Sequence, residues 1–382
     1  MPWTRTDCVQ ERQRFVEEYD SGVWTMSELC ERFGVSRKTG YKLLQRYEEE
    51  GEAGLVDRSR APHSCPHRID SQVEQAILKL KKRFPRFGAR KIRWRLEDHY
   101  PQLELPARST IGDVLQRHGL VKKKRRRTKW KHPGAAPVET TAPNQLWTVD
   151  FKGQFQTGDG VYCYPLTIVD HYSRYILRCQ SLTNVRAKPS MRVFEGLFRE
   201  VGLPDAIRSD NGVPFASTGI HGLCALNVWW LRLGIVHQRI MPASPQQNGT
   251  HERMHKELKD ETTRPPAKNR RGQQRLFNNF VHDYNHERPH EALGGKMPAS
   301  RWTASSRALP DRIAPPQYPG HFLVRRVSNN GAFRLKFKQQ FLSNALKGDY
   351  VGLEEIDDGI WSIYYYDTLL GRLDERKGRI SA

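Results

Sequence analysis

Two sets of residues in this 382-residue chain have types and spacings that could do chemistry. The first is His251-Glu252-x-x-His255, at the head of the stretch HERMHKELKDE. On a helix this sets two imidazoles one turn apart with a glutamate between them, the arrangement of a zinc hydrolase. The second is a series of carboxylates: Asp150, which follows the apolar run Leu146-Trp147-Thr148-Val149; Asp210, just ahead of Asn211-Gly212; and the same Glu252. Charges beside a core are costly unless compensated, and divalent cations compensate them. Two strand-end aspartates and a glutamate from a neighbouring helix would complete a Mg²⁺-type oxygen cage.

Zinc is the weaker reading. A second match, His286-Glu287-Arg288-Pro289-His290, has a proline inside it and cannot be an uninterrupted helix, and with 14 histidines such matches come cheaply. Residues 253–261 are strongly charged, and spacing nominates no third zinc ligand. His251 and His255 are therefore read as neighbours of Glu252. His63-x-Cys65-x-His67 matches no standard finger and is read as loop.

Bulk properties favour a polyanionic partner. The chain has 63 Lys and Arg against 42 Asp and Glu, a net charge of +21, and a pI near 9.8. That surplus points to nucleic acid rather than to a small substrate. A hydrophobic share of 37% and a mean hydropathy of −0.74 fit a core divided among two to four domains. No apolar run of about 18 residues exists and the N-terminus is charged, so neither a membrane span nor a secretory signal is expected. Six scattered cysteines without a C-x-x-C pair argue against a disulfide framework and place the chain inside a cell.

The elements that position these residues follow from periodicity. Residues 11–50 carry apolar groups at helical spacing, and in MSELCERFGVSRKTGYKLLQRY one helix runs into Gly34 while Ser36 can cap the next. The exposed first turn of that second helix holds Arg37, Lys38 and Thr39, the layout of a helix-turn-helix entering a major groove. A second such arrangement follows in QVEQAILKLKKRF, GARKIRWRLEDH and ARSTIGDVLQRHGL, whose last helix is expected to start at Ser109, with Arg108, Ser109 and Thr110 at its head. Between there and the catalytic segment, Lys122, Lys123, Lys124, Arg125, Arg126 and Arg127 open a basic linker suited to strapping a phosphate backbone. Beyond it QLWTVDFKGQF, VYCYPLTIVDHYSRY and ILRCQSL read as three strands, followed by alternating helices and strands, which makes a mixed sheet flanked by helices.

With these elements in place, TVDFKGQF, SDNGVPF and SPQQNGTHERMHKELKDE resemble, in that order, the three signature blocks of the retroviral-integrase catalytic core found in bacterial insertion-sequence transposases. The resemblance covers residues 143–305 and extends plausibly to the whole chain through the helix-turn-helix pair. It implies a ribonuclease-H-like fold whose Asp, Asp, Glu pattern falls on Asp150, Asp210 and Glu252 as catalytic residues and metal ligands. Asp210 and Glu252 stand 42 positions apart, a long interval that places an insertion in ASTGIHGLCALN. It also implies two Mg²⁺ ions, which Mn²⁺ can replace, about 4 Å apart, supporting cleavage that exposes 3′-hydroxyls and their joining to target DNA.

Helix geometry separates the rival glutamate. Glu257 lies about 140° around from Glu252, so the two cannot serve one site, whereas Lys256 and Lys259 fall within about 40° of Glu252 and can grip a DNA end. Asp170, in a D-x-x-S-R block, is read as support for the strand ends.

The expected organisation is multidomain: all-α helix-turn-helix domains at 1–58 and 68–121, the linker at 122–142, an α/β core at 143–305, and a small antiparallel β-barrel at 318–378. Arg325, Arg326, Arg334, Lys336 and Lys338 on that barrel are either DNA contacts or solvated positions. The expected partners are double-stranded DNA, as element ends and target, and further copies of the chain in a dimer or tetramer, with no membrane. The expected location is a bacterial cytoplasm, at the nucleoid. The rival reading is a DNA-binding regulator derived from a transposase and lacking catalysis. All three acidic residues being present favours the enzyme.

Overall fold

The computed structural model describes residues 7–59, 69–121, 139–217, 219, 222–240 and 249–381. The expected phosphate strap from Lys122 to Arg127 and the His63–His67 cluster lie outside them. The chain divides into two compact units, one ending at Asp70 and one running from Ser71 onward.

The first unit is three helices, α1 (Cys8–Asp20), α2 (Met26–Arg32) and α3 (Arg37–Glu50). Thr25 and Glu28 form a reciprocal capping box at the start of α2. Gly34 makes the turn at φ +62°, and the Ser36 side chain accepts the Thr39 N–H at 3.2 Å to cap α3. Phe15, Val16, Met26, Leu29, Cys30, Leu44 and Leu55 form the core. The α2–α3 crossing is tight because α3 presents Gly40 there: a Cβ would stand 2.8 Å from Cys30 Sγ and 3.0 Å from Met26 Sδ. Gly40→Val is expected to destabilise this unit by about 1–3 kcal/mol in urea unfolding, and an unchanged midpoint would refute the tight crossing.

The second unit opens with α4 (Ser71–Arg83), α5 (Ala89–His99) and α6 (Arg108–Arg117) around Ile77, Leu80, Ile92, Leu96, Ile111 and Val114. α6 begins at Arg108, one residue ahead of the expected start at Ser109, and its cap position is Ala107, with no side-chain bond. Burial of Ile111, Val114 and Leu115 sets where the turn must begin.

The α/β core follows the predicted order. Strands β1 (Leu146–Phe151), β3 (Tyr162–Asp170) and β4 (Ile176–Leu182) pair antiparallel, and a short β2 (Phe155–Gln156) adds to β3. Strands β5 (Ala206–Ser209) and β6 (Val236–Arg239) extend the sheet in parallel beyond β1. Helices α7 (Ala187–Val201) and α8 (Ala225–Arg232) cover one face through Phe194, Phe198, Leu226 and Trp230, which pack on Trp147, Val149 and Ile207. Helices α9 (Gly249–Thr262) and α10 (Arg270–His286) cover the other through Met254, Leu258, Phe277 and Phe280, which meet Cys163, Val169 and Cys179.

The C-terminal region is antiparallel, as expected, yet open. Strands β7 (Leu323–Arg326), β10 (Tyr350–Asp357), β11 (Ile360–Tyr365), β12 (Thr368–Asp374) and β13 (Arg379–Ser381) form one sheet in the order β13-β12-β11-β10-β7. Strands β8 (Ala332–Leu335) and β9 (Lys338–Phe341) form a separate hairpin. No closed barrel is present among the described strands. Phe333 and Leu335 of the hairpin share one core with Val351, Leu353, Ile363 and Leu373 of the sheet, so face-to-face packing buries the apolar side without edge closure. Leu223, Val228 and Leu231 join the same core, and Arg232 reaches Asp349 at 2.5 Å and the Tyr365 hydroxyl at 2.7 Å, which seats this region on α8. Lys336 is paired with Glu375 at 2.9 Å.

Among the described residues no helix is long and apolar enough to cross a membrane. The five described cysteines are free.

Candidate active site

Side-chain alternation decides which face of β1 does chemistry. Trp147 and Val149 point into the α7–α8 layer, so Thr148 and Asp150 point to the α9 side. β1 and β5 run parallel with Leu146 opposite Ala206 and Thr148 opposite Arg208. Carrying that register forward by two residues sets Asp150 beside Asp210, both at carboxyl ends of neighbouring strands. Asp150 keeps 18% of its side chain exposed. Burial raises the Asp210 carboxyl above the ordinary range, against the opposing effect of the Gly212 N–H, which it accepts at 3.2 Å.

α9 is pinned to the sheet by its histidines. His251, Met254, His255, Leu258 and Thr262 are buried at helical spacing and form the inward stripe. The Thr167 hydroxyl donates to the Asp150 carbonyl at 3.0 Å and meets Nε2 of His251 at 2.6 Å and Nε2 of His255 at 2.7 Å. One proton and two lone pairs are what a hydroxyl has, so these three bonds saturate it. Thr148 Oγ1 meets Nδ1 of His251 at 3.0 Å. Burial lowers His251 to about 3 and pushes His255 well below its ordinary value, so both rings are neutral near pH 7. They are structural neighbours, as the charge pattern implied. His255 Nδ1 nonetheless comes within 3.7 Å of Asp150 Oδ2.

Glu252 lies on the exposed side of the first turn of α9, and the residues leading into that helix, 241–248, are outside the described set. Among the described residues no three His, Cys, Asp or Glu side chains are grouped closely enough to hold a metal. The register carried forward thus sets Asp150 level with Asp210, while Glu252 is on α9 and does not complete a three-residue group with them. Glu257 is turned elsewhere, into an ion pair with Arg288, which also binds Glu261 at 2.6 Å. Lys256 and Lys259 are exposed.

Lys152 is a site residue that the spacing argument missed. Its ammonium is lowered chiefly by burial and then by Lys259, with Asp150 opposing, so the two lysines and the carboxylate share one neighbourhood. The signal was available, since position 152 is two beyond Asp150 and falls on the same side of an extended chain. Asp170 is fully buried and accepts the Asn144 N–H at 2.8 Å, the Ser173 N–H at 2.8 Å and the Ser173 hydroxyl at 2.6 Å. That makes it the tie between the ends of β1 and β3, the support role expected of it, although burial raises its carboxyl.

Ser36, Arg37, Lys38 and Thr39 are exposed at the head of α3, and Arg108 and Ser109 are exposed at the head of α6, with Thr110 half-buried. A cleft of about 540 Å³ lined by Arg232, Arg307, Arg312 and Tyr366 holds none of the site carboxylates.

Sequence comparisons agree with this architecture. Integrase core domain models match residues 140–245 and 233–298; a helix-turn-helix domain matches 11–63 and a homeodomain-like domain 39–115. The insertion element IS476 uncharacterized 39.2 kDa protein of Xanthomonas euvesicatoria is 25% identical over 70% of this chain and 75% of its own length. The insertion element IS407 uncharacterized 31.7 kDa protein of Burkholderia multivorans is 28% identical over 45% of this chain, which spans 60% of that relative. Among solved structures, the HTLV-2 integrase catalytic core domain in complex with magnesium aligns with 43% of this chain and 99% of its own at 16% identity, with a TM-score of 0.34. The simian T-cell lymphotropic virus intasome in complex with a PP2A regulatory subunit aligns with 78% of this chain and 96% of its own at 16% identity, with a TM-score of 0.39. An integrase core behind helix-turn-helix domains, in a chain whose relatives include insertion-element proteins, supports an insertion-sequence transposase with an integrase-type core.

Proposed function

We propose that this protein binds the terminal inverted repeats of its own insertion sequence, cleaves there to expose 3′-hydroxyls, and joins them to target DNA. The observation that supports the reading is the parallel register of β1 and β5, which carried forward from Thr148 opposite Arg208 sets Asp150 level with Asp210, with Lys152 and Lys259 near Asp150. Two carboxylates, with a raised Asp210 proton affinity and no basic side chain bonded to Asp210 among the described residues, are a donor set suited to a hard divalent cation. Asp150 and Asp210 would hold Mg²⁺, two ions in all with Glu252 as the third ligand, and Mn²⁺ can substitute. When bound, such ions supply Lewis-acid stabilisation of the attacking and departing oxygens of an in-line displacement.

The chain's own residues do the rest. Lys152, Lys256 and Lys259 neutralise phosphates flanking the scissile bond, which holds the strand end against Asp150. Asp170 keeps the strand ends aligned through its three accepted hydrogen bonds. Ser36, Arg37, Lys38 and Thr39 read one stretch of duplex, and Arg108, Ser109 and Thr110 read another, so the pair selects a longer site than either alone. Lys122 to Arg127 strap the backbone between the second of these and the catalytic core. Joining two ends to one target calls for a dimer or tetramer assembled on DNA, at the nucleoid of a bacterial cytoplasm.

The test uses the full chain and a labelled duplex carrying the inverted repeat that flanks its gene. Nicked product with a free 3′-hydroxyl and joined product are expected with Mg²⁺ and are lost with EDTA. A gel shift without cleavage in either Mg²⁺ or Mn²⁺ would instead favour the regulator.

A further inference from the structure

α9 works on more than one side. Its outward face carries Glu252, Lys256 and Lys259, and its far side is where the second helical unit docks. Arg86, in the loop after α4, donates to the Asp260 carboxylate at 2.9 Å and to the Asp260 carbonyl at 2.8 Å, with Glu261 at 3.8 Å. Arg95, almost fully buried, pairs with Glu287 just past α10; Arg83 reaches the same carboxylate at 3.6 Å, and Arg90 pairs with Glu291. Arg288, also buried, places its guanidinium 5.7 Å from the Phe87 ring and 5.5 Å from the Tyr284 ring while bound to Glu257 and Glu261.

Shape adds to charge. Trp94 lies flat against Gly295 at φ +91°, where a Cβ would come within 2.6 Å of the indole, so only glycine lets the ring close. Buried ion pairs gain little net stability over apolar packing, and they constrain geometry because each charge needs its particular partner. A domain merely tethered by residues 122–142 would need none of this. The pairings also withdraw Arg83, Arg86, Arg90 and Arg95 from DNA, whereas Arg108 and Ser109 at the head of α6 remain exposed.

We propose that this clasp makes the second helical unit a ruler: by seating α4 to α6 rigidly on the helix that carries Glu252, it sets which phosphate is cut relative to the sequence that α6 reads. The inference rests on the phosphoryl-transfer reading above. Arg86 and Asp260 are positioning residues and touch no reacting atom.

The experiment maps cut positions at nucleotide resolution on the labelled inverted-repeat duplex for wild type, Arg86→Glu, Asp260→Arg and the double swap Arg86→Glu/Asp260→Arg. Gel shift and hydroxyl-radical labelling of Phe87 and Tyr284 in the DNA-free full chain accompany the mapping. Each single reversal is expected to keep the gel shift within about two-fold while lowering cutting at the wild-type phosphate about ten-fold or more, with new cuts at its neighbours. Labelling of Phe87 and Tyr284 rises in the singles, and the swap restores both the labelling and the single cut. Cutting confined to the wild-type phosphate in the single variants, whatever its yield, overturns the ruler, and labelling unchanged from wild type overturns the docking itself. Absence of cutting by the wild-type chain removes the phosphoryl-transfer reading and the ruler with it, while the labelling still decides the docking.

Discussion

Asp150→Asn and Asp210→Asn are each expected to lower Mg²⁺-dependent strand cleavage about a thousand-fold while leaving the gel shift of the inverted-repeat duplex unchanged. Each substitution keeps shape and removes one negative charge, so packing around β1 and β5 is preserved. What would be lost is an anionic oxygen that the proposed reading gives to the cation. DNA affinity should be indifferent, because the proposed reading assigns most of it to α3, α6 and the basic linker rather than to the strand-end carboxylates. Glu252→Gln is expected to behave alike. Replacing His251 and His255 together with alanine should hurt less than Glu252→Gln, since both rings are buried hydrogen-bonding partners of Thr148 and Thr167. Full activity in any one of the three acidic variants would sink the assignment. Activity abolished by the histidine pair and spared by Glu252→Gln would revive the zinc reading.

Acidification from pH 7.5 to 5.0 is expected to destabilise the second unit by about 2 kcal/mol for each of two partly buried neutral histidines, His237 and His290. Burial, reinforced by Arg239, lowers His237 from 6.5 to about 4. Burial, reinforced by Lys91, Arg288 and Arg174, lowers His290 to about 3. A folded value depressed below the unfolded one means that the unfolded chain takes up the proton first. The contribution is therefore complete above pH 6.5 and is lost progressively as pH falls toward 4 and 3. Asp170 and Asp210, whose carboxyls are raised, act with the opposite sign and offset part of the loss. Urea unfolding at the two pH values reads the effect. His237→Gln and His290→Gln cannot take up that proton, so each should shrink the pH difference by about 2 kcal/mol whatever it does to baseline stability. An undiminished difference in both variants would show that other groups control acid unfolding.

The parts of this protein legible from sequence are those governed by local rules. Gly34 and Ser36 announced the turn and cap of the first helix-turn-helix because turn geometry and capping act over three or four residues. The runs ending at Asp150 and Asp210 announced strands because alternation and β-branching act over two. Glu257 was rightly set apart from Glu252 by helix angle alone, and the structure gives it to Arg288. Where a nonlocal contact competes, local rules fail. Ser109 was expected to open α6, yet with Ile111 and Val114 buried the helix starts one residue earlier, at Arg108. The C-terminal strands were evident, but whether their edges meet depends on what else covers the apolar face, and here the β8–β9 hairpin and α8 do so.

By itself, then, the sequence determined the order of domains, the strands that end in carboxylates and the positive charge that calls for DNA, since composition, periodicity and spacing are properties of the chain. Only the tertiary structure decided that β1 and β5 run parallel in the register that sets Asp150 level with Asp210, that Lys152 and Lys259 lie near Asp150, and that two histidines one turn apart face threonine hydroxyls inside the sheet. It alone seats the second helical unit on α9 and on the segment after α10, through arginines whose partners lie as far as 201 positions away. The reason is physical: a charge or hydroxyl finds its partner across space, and the sign and spacing of neighbours along the chain say nothing about which distant group will be there.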